Sequence, residues 1–398
     1  MEIKSAAKSD CGIKRENNED SILTRSDLGL YIVCDGMGGH AGGELASKIA
    51  VEVIEECVSN ALLDGELTES NASAIVSDAI QSASREIYNR AQLEPEYRGM
   101  GTTATVLIFF NNHAVLGHVG DSRCYLRRRE KLHQLSNDHT LAAELVASGK
   151  SNSAEVKKMP FAHALTRAVG IQPSVVVDTL VFDLIDGDTL LLCTDGLIEL
   201  CYDQEQLFDL IGQESISGLP EKLIKLANEL DGSDNVSVIV LRAFDSTRDA
   251  AREQEVVLKI DTLKGLSFFK ELELAELLQI VERVTVLPAA EGADLVREGE
   301  QGDSMLVILS GRVAVYHQGR QLNTLESGNH FGEMSLLRES PRSATVRAIE
   351  PSILLKLKKN DFQEIVSGNP RLGVKLLAAL SRELCSRLDQ ANRKVVAG

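Results

Sequence analysis

The chain has 398 residues, 43% of them hydrophobic and 25% charged, an ordinary balance for folded globular protein and enough length for two or three domains, each with its own core. Its formal net charge of −17 argues against non-specific nucleic-acid binding, which needs clustered Lys and Arg, and suits a protein that holds divalent cations. No apolar leader follows Met1 to Ser5, the longest apolar runs are strand-length, and the seven cysteines form no Cys-x-x-Cys pair, so a cytoplasmic chain with reduced thiols and no membrane span is expected.

Taken in order, Ser9 to Asp20 is polar and turn-rich, and Arg15 within it is either part of a solvated loop or a fork for a phosphate. Leu30 to Cys34 is an apolar run that ends in Asp35, Gly36 and further glycines, a stretch that fits an oxygen-ligated cation as well as a tight turn. Residues Glu44 to Asn60 and Ala72 to Ala91 have helical spacing. Gly101 to Phe110 predicts a buried strand, Asn111-Asn112 a turn, and Ala114 to Val119 its hairpin partner, which ends in Gly120-Asp121. Arg127, Arg128 and Arg129 are expected in an exposed hairpin turn, with substrate docking as the alternative. The pattern from Asn137 to Gly170 is helical, then irregular around Ser151 to Pro160, a candidate flap. Thr189 to Cys193 ends in Asp195-Gly196, and Asp234 precedes the strand Val236 to Val240. One Asp at a strand end is commonplace. Four imply carboxylates converging on one edge, where repulsion has to be neutralised by cations.

Arg15 to Asp20, Asp35-Gly36, Gly120-Asp121, Thr194-Asp195-Gly196 and Asp234-Asn235 occur in the order of a known family. On them the first roughly 244 residues resemble the metal-dependent Ser/Thr protein phosphatases of type 2C, in their bacterial form. The resemblance implies an α+β fold, an α-β-β-α sandwich with two Mg2+ or Mn2+ ions at one end. It implies that Asp35 bridges both ions, that the Gly36 carbonyl completes one, and that Asp195 and Asp234 hold the other. Asp20 would act through water, Asp121 with Asp195 would form a weaker third site, and Arg15 would clamp the substrate phosphate. A water bridging the ions would become the nucleophile for in-line attack on phosphorus. Eukaryotic relatives carry His where Met37 stands here, so the general acid is left unassigned, with metal-held water as the default and His40 read as structural.

Beyond Val240 the composition shifts. Residues 245–261 are charge-dense and predict a linker, with a solvated connecting helix as one form of it, between a domain over 1–244 and another over 262–398. Leu263 to Val284 has helical spacing, with Leu272, Leu274, Leu277, Leu278 and Val281 expected in the core. Short strands split by glycines follow at Asp294 to Val296, Met305 to Ser310, Arg312 to Tyr316, Gln321 to Leu325 and Ser343 to Ile349, a β-roll pattern. Gly332 to Leu337 predicts a short helix whose free amides suit a phosphate, with Glu333 for a ribose hydroxyl and Arg342 for the phosphate. Phe331, Gly332, Glu333, Met334 and Ser335, together with Arg342, Ser343 and Ala344, resemble the phosphate-binding cassette of the cyclic-nucleotide-binding domain, a β-roll with flanking helices. Ser343 after the arginine favours cyclic AMP over cyclic GMP. Leu372 to Ala391 predicts a last helix with Leu377, Leu380, Leu384, Leu388 and Ala391 on one stripe.

Two functions compete. One is a phosphatase acting on phosphoserine and phosphothreonine proteins under cyclic-nucleotide control; the other is an idle phosphatase-like scaffold serving a nucleotide sensor. The complete carboxylate set favours the enzyme. Neither a nucleic-acid nor a membrane partner is expected, and oligomeric state has no signature in the sequence.

Overall fold

Alternation along the strands decides the layers. In β3 (Leu30–Met37) the side chains of Leu30, Ile32 and Cys34 are buried against helices, while Tyr31 and Val33 are buried on the opposite face. A strand apolar on both sides has to be covered on both. The computed structural model, which describes residues 1–38, 41–148, 159, 161, 163–197, 203–213, 215–245 and 249–396, does this with a four-layer arrangement. The chain divides into two compact units, Met1–Asp249 and Ala250–Gly398.

The first unit contains two antiparallel sheets. One joins β1 (Glu2–Asp10), β11 (Val236–Phe244), β10 (Thr189–Cys193), β7 (Arg123–Arg128) and β8 (Lys131–Gln134) in that order. The other joins β2 (Asp20–Arg25), β3, β5 (Ala104–Phe110), β6 (His113–Val119) and β9 (Asp178–Asp183), with β4 (Gly101–Thr102) paired to the end of β3. Helices α1 (Ala41–Asp64) and α2 (Glu69–Leu93) cover the second sheet, burying Ala50, Ile54, Val76 and Ile80 against Ile32 and Val106. Helices Gln204–Ile211 and Leu219–Leu230 cover the first, burying Leu207, Leu223 and Ile224 against Leu191 and Val238. This is the α-β-β-α sandwich that the resemblance implied.

Helix α1 starts at Ala41, earlier than the spacing predicts, and Gly43 in its first turn lets it approach β3. A Cβ on Gly36 would strike the Gly43 carbonyl, and one on Gly43 would strike the Glu19 carboxylate. Among the described residues the helix expected across Asn137 to Gly170 covers Leu141–Ala147, and the flap expected at Ser151 to Pro160 falls, apart from Met159, outside the described residues. The exposed arginine cluster is also corrected. Arg128 is buried in an ion pair with Asp188, Arg127 stacks on the Phe208 ring at 4.2 Å, and only Arg129 occupies the open turn, at φ +54°. Strand alternation forces this, since consecutive residues leave opposite faces.

The second unit opens with helix Ala250–Gly265. The helix expected over Leu263 to Val284 is broken at Leu266 to Glu273 and resumes as Leu274–Val281, with Leu272, Leu274, Leu277 and Leu278 buried and Val281 only partly so. Two four-stranded antiparallel sheets form the roll. One orders Thr285–Ala289, Ser352–Lys358, Ser304–Ser310 and His330–Phe331; the other orders Asp294–Val296, Thr345–Ala348, Arg312–His317 and Arg320–Glu326. The final helix, Pro370–Val396, buries Leu372, Leu376, Ala379 and Leu380. Of the expected stripe, Leu377 and Leu388 are 39% and 61% exposed, because the buried face follows i, i+4 spacing from Leu372. Among the described residues no helix is long and apolar enough to cross a membrane.

Candidate metal centre and nucleotide site

Strand register gathers the carboxylates. Asp20 at the start of β2 pairs in register with Asp35 near the end of β3. Asp121 follows the end of β6, where Val119 faces Ala104, and Thr103 just before Ala104 bonds to Asp35. In the other sheet Cys193, two residues before Asp195, faces Val238, four residues after Asp234. All five carboxylates therefore lie at one end of the sandwich, and Asp35, Asp121, Asp195 and Asp234 line a single cleft of about 1400 Å³ together with the Gly36 backbone and Arg15.

The backbone around each Asp is held by small polar side chains. The Asp35 amide donates to Thr103 Oγ1 at 2.8 Å, and its carbonyl accepts from the Thr103 amide and from Thr102 Oγ1, each at 2.8 Å. Thr194 Oγ1 donates to Asp20 Oδ2 at 2.9 Å and accepts from the Ser237 amide at 2.9 Å. Asn235 is buried and staples the Arg15 loop: its Nδ2 donates to the Cys11 and Asn17 carbonyls at 2.9 Å each, and its Oδ1 accepts from the Glu19 amide at 2.8 Å. Arg15 Nη2 donates to Asp234 Oδ2 at 2.8 Å, so the phosphate-clamp candidate is paired with a metal-ligand candidate.

Electrostatics follow from this crowding. Burial, opposed by hydrogen bonds from Ser237 and Thr194 and reinforced by the charges of Asp195 and Asp234, pushes Asp20 up to about 7. Burial and then the Asp195 and Asp138 charges push Asp121 up to about 8. Asp35 is raised well above the carboxylate range by burial and then by Asp195, Asp20 and Asp121, and Asp195 is raised chiefly by burial. Among the described residues no three His, Cys, Asp or Glu side chains close around one point tightly enough to enclose an ion unaided. The donor set still fits hard divalent cations completed by carbonyl and water oxygens. Asp20 Oδ1 and Asp195 Oδ1 are buried with no hydrogen-bond partner, a costly arrangement that a cation relieves.

His163, Arg167, Ile171 and Val176 also line the cleft. Single residues in an irregular segment carry no spacing signal, and the sequence reading did not single them out. Met37 also lines the cleft and has no proton to give, while His40 lies outside the described residues.

In the second unit Glu333 and Arg342 are both buried. Arg342 Nη1 donates to Ser335 Oγ at 3.0 Å and Nη2 to Ser304 Oγ at 3.2 Å, with Asp303 Oδ1 at 3.6 Å. The helix expected over Gly332 to Leu337 is the single turn Met334–Leu337, and the Ser335 and Leu336 amides are spent on the Gly332 and Glu333 carbonyls. Phe331 is buried, Met334 and Ser343 are exposed, and Ala344 is half-buried at the start of the Thr345–Ala348 strand.

Comparison with known proteins agrees with both halves. The family model described as protein phosphatase 2C matches residues 12–230, and that of the cyclic nucleotide-binding domain matches residues 287–369. The serine/threonine phosphatase stp of Listeria monocytogenes is 34% identical over 239 residues, covering 59% of this chain and 93% of that protein. The crystal structure of the Mycobacterium tuberculosis serine/threonine phosphatase PstP/Ppp is 32% identical with a TM-score of 0.55, over 61% of this chain and 99% of that one. The catalytic domain of PstP in complex with two manganese ions is 33% identical with a TM-score of 0.54, over the same shares.

Proposed function

The chain belongs to the protein phosphatase 2C family, and on that premise we propose that it hydrolyses phosphoserine and phosphothreonine in proteins with Mn2+ or Mg2+, under control of cyclic AMP bound to its second unit. The observation that carries the reading is the convergence of Asp20, Asp35, Asp121, Asp195 and Asp234 from distant segments, with two buried oxygens left unpartnered. Asp35, the Gly36 carbonyl, Asp195 and Asp234 would hold two ions, Asp20 would act through water, and Asp121 with Asp195 would take a weaker third. When bound, the ions supply positive charge for the phosphoryl oxygens and an activated water for in-line attack. The chain's own groups do the rest. Arg15 leaves Asp234 to hold two phosphate oxygens with its planar fork, and Thr102, Thr103 and Asn235 keep the ligand-bearing backbone still.

In the second unit Arg342 would take the cyclic phosphate and Glu333 a ribose hydroxyl, with Phe331, Gly332, Met334, Ser335, Ser343 and Ala344 completing the cassette. Ser343 supports cyclic AMP over cyclic GMP. Coupling of the usual size, about 1–3 kcal/mol, would change turnover or affinity roughly 5–150-fold. The test is steady-state dephosphorylation of a phosphothreonine peptide in Mn2+, titrated with each nucleotide. Asp35→Asn and Asp195→Asn are expected to abolish turnover, and retained activity in either discards the metal assignment. Unchanged turnover at saturating levels of both nucleotides refutes the regulation.

A further inference from the structure

Strand β6 ends at Val119, and the next peptide, that of Gly120, is held by two histidines rather than by the sheet. Its amide donates to His139 Nδ1 at 3.1 Å, and its carbonyl accepts from the His139 amide at 2.8 Å and from His118 Nε2 at 3.1 Å. Gly120 sits at φ +112°, and a Cβ there would meet Thr103 Cγ2 at 2.5 Å, so no other residue makes this turn without strain. Both rings are buried, with centroids 4.9 Å apart.

The partners assign the protons. His118 Nε2 faces the Gly120 and Asn137 carbonyls, each at 3.1 Å, so it carries the proton, and Nδ1 accepts from Thr105 Oγ1 at 3.0 Å. Burial, then His139, pulls the pKa of His118 down to about 4, which keeps that ring neutral. His139 Nδ1 accepts an amide proton, so its own proton is on Nε2 and is donated to Asp178 Oδ2 at 3.1 Å. Asp178 Oδ1 in turn accepts from Arg167 Nη1 at 2.6 Å, and Arg167 lines the cleft.

We propose that His139 is a positioning residue for the third-ion site: its Nδ1 holds the Gly120 amide while its own main-chain amide holds the Gly120 carbonyl, and the Nδ1 contact fixes the direction in which Asp121 leaves β6. The proposal rests on the reading of Asp121 as a ligand. Its logic is that of groups behind a ligand, whose loss weakens metal binding roughly 10–100-fold without removing the ligand.

Two substitutions split the ring's roles. In His139→Asn the Oδ1 atom takes the place of Nδ1 and keeps an acceptor for Gly120, while the link to Asp178 is lost. In His139→Gln the side-chain NH2 reaches the place of Nε2 and keeps the donor to Asp178, while the acceptor is lost. Mn2+ binding to the full chain, followed by calorimetry and by electron paramagnetic resonance, is read alongside melting in chelator. His139→Gln is expected to weaken the third ion roughly 10–100-fold. Its two tighter ions stay unchanged, and His139→Asn stays near the parent. Equal losses in both variants, or a third ion held by His139→Gln as tightly as by the parent, overturn the role of His139. Asp121→Asn separates the premise from the inference: it is expected to lose the third ion, and unchanged Mn2+ binding there overturns the ligand reading itself.

Discussion

Replacing Arg15 tests the substrate end of the site, because the structure states what the residue gains and loses. Its contact with Asp234 joins side chains 48% and 36% exposed, and exposed pairs contribute only about 0.2–1 kcal/mol to stability. Arg15→Ala is therefore expected to leave the melting temperature nearly unchanged. A phosphate oxygen in place of Asp234 is a stronger acceptor, and a charge-assisted hydrogen bond contributes roughly 1.5–3 kcal/mol. At 1.36 kcal/mol per tenfold, Arg15→Ala should lower kcat/KM about 10- to 150-fold, on an aryl phosphate and a phosphothreonine peptide alike. Arg15→Lys keeps the charge but not the fork, and falls between.

The assay is steady-state turnover at several Mn2+ concentrations, because Arg15 also touches a metal-ligand candidate. Freeing Asp234 should leave the Mn2+ activation midpoint unchanged or lower it. Kinetics within twofold of the parent would refute the clamp. A raised midpoint that accounts for the whole loss would also refute it, since Arg15 would then act by ordering Asp234.

With chelator present, Asp20 and Asp121, pushed up to about 7 and about 8, hold protons that the unfolded chain has released above its ordinary carboxylate pKa near 4. The folded state then binds more protons than the unfolded one, so stability should fall as pH rises from about 4 to about 8. Melting in chelator at pH 5.5 and 8.5 should show the drop and excess Mn2+ should erase it; a flat profile in chelator would count against the buried cluster. Arg128 and Asp188, 6% and 1% exposed, are joined by bonds of 2.9 and 2.6 Å. Arg128→Met strands a buried carboxylate and should cost about 3–5 kcal/mol by denaturant unfolding, while Arg128→Met with Asp188→Leu should recover most of it. A loss under about 1 kcal/mol in the single variant would place the pair in solvent.

The legible part of this protein was whatever a short window contains. An apolar run followed by Asp and Gly marks a strand end with a carboxylate, and that local pattern located Asp35, Asp121 and Asp195 before any sheet order was known. Arg128 was misread for the same reason. Three arginines in a row look solvated, and the residue that buries the second is Asp188, sixty positions away and visible only once β7 pairs with β10. The last helix failed on phase: Leu377, Leu380 and Leu384 satisfy a helical period, and so do Leu372, Leu376 and Leu380, and only the packing surface distinguishes them.

The second half of the site was illegible for a different reason. A metal centre needs carboxylate oxygens that are held in place and yet left free, which conflict if the same oxygens accept the bonds that hold them. Here the conflict is eased by fixing the main chain instead. Thr102 and Thr103 bond the Asp35 peptide, His139 the Gly120 peptide, Asn235 the Glu19 amide and Thr194 the Ser237 amide. Each restraint sits one peptide from a carboxylate or beside it, and although Thr194 also takes Asp20 Oδ2, Asp20 Oδ1 and Asp195 Oδ1 remain without a partner. Threonine, asparagine and buried histidine occur throughout any sequence, so nothing in their spacing announces the task. Their role follows from a geometric requirement: where acidic groups converge, the rigidity has to come from neutral donors and acceptors that add no charge of their own.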